Sequence, residues 1–184
     1  MSIFPDGFFL LAAEQTFTYE AGYSDHPSDT GGKTMYGVTE RVARAYGYEG
    51  AMHDLPKETA EQIAYAEYWL PQRLDEVAAI DGALAREIFD TGYNMGPHVA
   101  GRFVQRCVNV FNRQGRDYAD VAVDGQIGPA SLSALSALYA ARQDASALML
   151  KCTNGLQAAR YVRIAEGRPA NEAFAVGWVR HRVE

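Results

Sequence analysis

The sequence predicts a mainly α-helical protein with a small β-hairpin or loop after the first helix. Apolar residues recur at helical spacing along nearly the whole chain. Strand-like alternation is confined to two stretches, a glycine-rich window near the N-terminus and DVAVDG at residues 120–125. With 184 residues, 48% of them hydrophobic, the chain can bury a sizeable core without disulfide or metal staples. There is no internal repeat or low-complexity tract, which excludes solenoids and disordered scaffolds.

The elements follow in order. Phe9, Ala13, Phe17 and Glu20 share one face of a first helix that begins after Pro5 and Asp6. Thr59 and Gln62 form a capping-box pattern ahead of AEQIAYAEYWL, which Pro71 stops. Asp81 caps GALAREIFDTGYNM, with Leu84, Ile88 and Met95 on its inner face. Pro97 opens a helix lined by Ala100, Phe103, Val104, Cys107 and Phe111. After the loop RQGRDYADVAVDGQIG comes PASLSALSALYAAR, with Leu132, Leu135 and Tyr139 in phase. Asp144 is positioned to cap a long helix reaching Glu166 and ended by Gly167 and Pro169, and Asn171 to cap a last helix bearing Phe174 and Trp178.

A net charge of −6 argues against a nucleic-acid partner. The balance is uneven. Residues 1–105 carry 16 acidic and 7 basic side chains, whereas residues 106–184 carry 7 and 10, so the back half suits an anionic polymer or simply presents a solvated basic face. Cys107 and Cys152 fall on apolar helix faces and read as buried free thiols. His26, His53, His98 and His181 lack ligand spacing, so neither a metal nor a cofactor is expected. No basic n-region precedes FFLLAA and no apolar run reaches the roughly 20 residues of a membrane span. The expectation is synthesis in the cytoplasm without a signal peptide and without membrane insertion.

Chemistry concentrates in TYEAGYSDHPSDTGGKTMYGVT, residues 18–39. Glu20 continues the stripe Phe9–Ala13–Phe17, so its carboxyl leans toward apolar surroundings, which favour the protonated form and suit a general acid. Gly22, Gly31, Gly32 and Gly37 imply tight turns that fold the chain back and bring Asp25 and Asp29 toward Glu20. Paired carboxyls across a cleft are what glycoside hydrolysis requires. The same aspartates also serve Asx turns and caps, and either reading fits the spacing.

The window resembles the signature of glycoside hydrolase family 108, the muramidases of phage and secretion-associated loci, through Glu20, Gly22, Tyr23, Pro27, Asp29, Gly31, Gly32, Thr34, Tyr36, Gly37 and Thr39. It departs at Ala21, His26 and Val38, where that family has glycine, aspartate and isoleucine. YAEYW (65–69) and FDTGYNMG (89–96) resemble its helical elements beside the cleft. VDGQIGPAS (123–131) resembles a turn of peptidoglycan-binding regions. Eight residues separate Glu20 from Asp29 and four separate Asp29 from Thr34, similar to the glutamate–aspartate–threonine triad of small phage-type lysozymes, with Thr39 a rival for Thr34.

The resemblance implies a lysozyme-like fold over residues 1–184, with a catalytic lobe at 1–96 and a helical, peptidoglycan-binding lobe at 97–184. It implies a muramidase cleaving the β-1,4 bond between N-acetylmuramic acid and N-acetylglucosamine in bacterial peptidoglycan. Glu20 is the expected acid, and Asp29 with Thr34 or Thr39 would hold water opposite it. Tyr23, Tyr36, Trp69, Tyr93 and Asn94 are candidate sugar contacts, although aromatics at helical spacing equally well serve the core. A lytic transglycosylase, or a non-catalytic wall-binding or phage structural module, is the alternative. Action in the periplasm or wall requires release through a holin or injection by a secretion machine, and an effector would have a cognate immunity protein.

Overall fold

The computed structural model describes residues 4, 7–19, 22–25 and 32–183. It is mainly helical with a small antiparallel sheet after the first helix. Helix α1 (Gly7–Tyr19) buries the expected stripe, Phe9, Ala13 and Phe17. The Phe9 ring meets Tyr65, Trp69 and Phe89 edge-on, with centroids 5.0, 5.4 and 5.7 Å away. Such tilted pairs add to the apolar burial that fixes α1 on the rest of the core.

Strands β1 (Tyr23–Ser24), β2 (Thr34–Met35) and β3 (Val38–Thr39) pair antiparallel in chain order. Helix α2 (Glu40–Tyr46) follows directly, with the Thr39 hydroxyl accepting from the Val42 amide as its N-cap and Gly47 closing it at φ 101°.

The next helix departs from expectation. Helix α3 (Lys57–Ala64) starts one turn before Ala60, on the Pro56 carbonyl, so Thr59 and Gln62 form no capping box. Proline's fixed φ already suits a helix start. The run to Pro71 is not one helix either. A π turn at Tyr65–Trp69 and a 3-10 turn at Leu70–Gln72 lead to Arg73, left-handed at φ 53°, and then to α4 (Leu74–Ile80). Asp75 of α4 accepts from Tyr65 Oη at 3.1 Å and from Trp69 Nε1 at 2.6 Å, which ties the wider turn inward.

Helices α5 (Gly82–Met95) and α6 (Pro97–Phe111) form the centre, burying Leu84, Ile88, Phe89, Ala100, Val104 and Cys107. The Asp81 carboxylate caps α5 as expected, accepting from the Ala83 and Leu84 amides. Helices α7 (Pro129–Ala141), α8 (Ala145–Gly167) and α9 (Glu172–Arg182) complete the chain. Neither Asp144 nor Asn171 caps through its side chain. Asp144 pairs instead with Arg142 at 3.5 Å, and Asn171 Nδ2 donates to the Ile164 carbonyl.

DVAVDG is not a strand. Its backbone groups are satisfied by helix side chains rather than by a ladder. Asn109 bonds both the amide and the carbonyl of Val121, Gln105 accepts from the Gly125 amide, and Gln72 bonds the Gly125 carbonyl and the Ile127 amide. A Cβ on Gly101 would sit 2.2 Å from the Gly125 carbonyl oxygen, so this backbone-on-backbone contact requires glycine. Asp124, accepting from Gln105 and the Gln126 amide, is held below the ordinary carboxylate range.

The two cysteines are free and lie close to one another between α6 and α8. Cys107 is buried, which pushes its thiol pKa up, whereas Cys152 is partly exposed. Among the described residues no helix is long and apolar enough to cross a membrane.

Helix α9 contributes one buried residue, Arg182. Its guanidinium meets Asp90 of α5 at 2.6 Å, with the two side chains 4% and 16% exposed, and Thr16 of α1 donates to the same carboxylate. Removing one partner of such a pair leaves an uncompensated buried charge. Arg182→Ala should therefore cost about 3–5 kcal/mol in urea or thermal unfolding.

A pH dependence follows from Asp81. Burial raises its pKa, but hydrogen bonds from Ser146, Tyr139 and the Leu84 and Ala83 amides outweigh that and hold it below its ordinary value. A depressed folded-state pKa adds stability that is complete above the unfolded value of about 3.9 and is lost as pH falls through the folded one. Tyr139→Phe should move the acid-unfolding midpoint, followed by circular dichroism, to higher pH.

Candidate active site

The hairpin arranges hydroxyls by register. Ser24 pairs with Thr34, and Thr34 with Thr39, so the three stand in a row across the sheet. Tyr23, Met35 and Val38 take the opposite face, where Val38 is buried and Met35 packs on the core. A two-residue turn joins β2 to β3, with Tyr36 at φ 54° and Gly37 at φ 78°. The left-handed conformation costs a tyrosine about 1–2 kcal/mol. Two contacts offset that cost: Tyr93 Oη donates to the Tyr36 carbonyl at 2.7 Å, and the Tyr36 ring stacks on Phe17 with centroids 5.8 Å apart.

Ser24, Thr34 and Thr39 form one wall of a cleft of about 600 Å³. Facing them are side chains from α8 and α9. Trp178 stacks between Tyr161, at 5.2 Å and 21°, and Phe174, at 6.0 Å and 25°. Asn94, at the end of α5, accepts from Tyr161 Oη at 3.3 Å, while Arg160 and Arg168 add positive charge. Flat aromatic faces opposite hydroxyls, an amide and guanidiniums suit a polyhydroxylated ligand carrying acetamido groups.

The predicted residues separate clearly. Thr34, Thr39, Tyr93 and Asn94 all line the cleft. Thr39 is also engaged as the α2 cap, whereas nothing among the described residues is hydrogen-bonded to the Thr34 hydroxyl. The Tyr93 ring is packed among Phe17, Phe89 and Tyr68 and holds the turn through its hydroxyl. Tyr68 behind it is raised in pKa by burial and by Glu67, against an opposing effect of Arg41.

Tyr36 belongs to the turn and its stack on Phe17, not to the lining. Tyr23 is 44% exposed, with its hydroxyl directed at Asp25 and its ring edge-on to His53. Trp69 takes the core alternative: at 1% exposure it lies in the π turn with its indole donating to Asp75. Glu20 and Asp29 lie outside the described residues.

Sequence reasoning missed the far wall. The i, i+4 pair Phe174 and Trp178 on a helix with little other apolar burial was the available signal, since aromatics without a core to fill serve contacts. Among the described residues no three His, Cys, Asp or Glu side chains converge as a metal site.

Tyr93→Phe should lower stability by about 1 kcal/mol and accelerate amide hydrogen exchange over residues 34–39, because it removes the turn's hydrogen bond and leaves the ring packing intact.

Comparison with known proteins matches the chain to two families. Residues 13–96 match the family described as Glycosyl hydrolase 108, and residues 99–183 match the one described as Predicted Peptidoglycan domain. A search of the curated proteins finds no match. Among solved structures the chain is similar to SagA of Brucella abortus, with 22% identity, 97% of each chain covered and a TM-score of 0.66, a likeness of fold. The chain thus carries a glycosyl hydrolase 108 domain at residues 13–96, followed at residues 99–183 by a match to the predicted peptidoglycan domain.

Proposed function

We propose that the protein is an N-acetylmuramidase that hydrolyses the β-1,4 bond between N-acetylmuramic acid and N-acetylglucosamine in peptidoglycan. The observation that carries this reading is the hydroxyl row Ser24–Thr34–Thr39 facing the aromatic stack Tyr161–Trp178–Phe174 across one cleft. The chain supplies Glu20 four positions before Ser24 and Asp29 five positions after it. Both family matches support a wall glycan as the substrate.

In this mechanism Glu20 protonates the glycosidic oxygen as the bond to the anomeric carbon breaks. Asp29 accepts a proton from the attacking water, and Thr34 orients that water, its hydroxyl having no hydrogen bond among the described residues where that of Thr39 caps α2. Water attack opposite the leaving group gives inversion at the anomeric carbon. Tyr93 is a positioning residue that keeps Thr34 in register. The enzyme reaches the wall by holin-dependent release or by injection as an effector, and in the second case a cognate inhibitor protein occupies the cleft.

Glu20→Gln, with its fold checked by circular dichroism, should lower release of reducing ends from purified sacculi by about a hundred- to ten-thousand-fold. Undiminished release would remove Glu20 from the mechanism. Mass spectrometry of the wild-type products should show reducing muramic acid, and 1,6-anhydro ends would reassign the protein as a lytic transglycosylase.

A further inference from the structure

A second groove, of about 530 Å³, runs between α6 and α8 and shares Arg160 with the cleft. Arg102 and Arg106, one turn apart on α6, face Arg160 and Arg163 of α8 over a floor of Phe103 and Leu156. Arg102, Arg106 and Arg163 are exposed. Among the described residues none of the four arginines makes an ion pair or a hydrogen bond. The Nε of Arg160 is buried and has no partner.

Other arginines behave differently. Arg44, Arg73, Arg113, Arg142 and Arg182 each pair with a carboxylate. Around the groove there are almost no acids to pair with, since α6 has none and α8 has only Glu166. A chain of net charge −6 thus keeps one strip of uncompensated guanidiniums. Unpaired like charges one turn apart repel, so the strip costs stability unless an anion meets it. Guanidiniums rather than ammoniums match planar carboxylates through paired N–H donors.

We propose that this groove is a binding site for the carboxylates of the peptidoglycan stem peptide. The choice of polymer rests on the muramidase reading. A stem peptide branches from the muramic acid unit and carries free carboxylates along its length. With the sugar strand in the cleft, a side branch leaving past Arg160 enters the groove and meets Arg163, Arg102 and Arg106. The apolar floor of Phe103 and Leu156 covers the aliphatic parts of the peptide.

The test uses the full chain carrying Glu20→Gln, so that the polymer survives the measurement. Pull-down is compared on intact sacculi and on glycan strands stripped of peptides by an amidase. At low salt, about 50 mM, where surface charge is least screened, intact material should bind about tenfold more tightly, each exposed charge pair contributing a few-fold. Arg102→Gln/Arg106→Gln/Arg163→Gln should abolish that margin, and the corresponding triple lysine variant should keep part of it.

Free stem tetrapeptide should displace the protein from sacculi. Equal binding to intact and stripped material overturns the proposal without need of any variant. So does a margin that survives the triple glutamine substitution, or displacement by inorganic phosphate but not by tetrapeptide, which would point to a wall phosphate polymer. None of these readouts requires turnover, so a protein that releases no reducing ends yet shows the margin loses the muramidase reading and keeps the groove.

Discussion

One hydrogen bond, from the Tyr93 hydroxyl to the Tyr36 carbonyl, sets the geometry on which the cleft depends. It joins the central helix α5 to a turn whose backbone a tyrosine adopts only at a cost. The turn in turn fixes the register of β2 and β3, and a slip of one residue would carry Thr34 and Thr39 to the face now held by Met35 and Val38. Because the Tyr93 ring is packed among aromatic neighbours, its hydroxyl has little freedom to move away. A rigid core thereby reaches into a sheet of only two-residue strands, too short to hold its own shape.

The fold was legible where apolar periodicity and helix punctuation agree. The stripe of α1, the Asp81 cap and the proline start of α6 all read directly from residue types. What misled were features decided by distant partners. DVAVDG alternates like a strand, yet Asn109, Gln105 and Gln72 from elsewhere in the chain take its backbone groups. Trp69 looks like a sugar platform in isolation, and only the π turn with Asp75 shows that it faces inward. The hairpin side of the cleft was readable because its residues sit in one continuous window. The opposite side, built from α8 and α9, depends on tertiary approach and left only a weak local trace in Phe174 and Trp178.

Asp124 and its neighbours depend on distant partners as well. The VDGQIG stretch, which resembles a turn of peptidoglycan-binding regions and lies within the matched peptidoglycan domain, brings Gly125 close to Gly101 and sets the Asp124 carboxylate on Gln105 and the Gln126 amide. A short conspicuous motif can thus also join two parts of a fold.

The anchoring of α9 has a mechanical meaning. The sheet wall of the cleft is braced by the hydrophobic core, whereas α9 buries one side chain, Arg182, and otherwise leans on α8 through the Trp178 stack. The Arg182–Asp90 pair near the C-terminal end of α9 ties this helix to α5, so the aromatic wall is fastened to the same central helix that holds the hairpin turn through Tyr93.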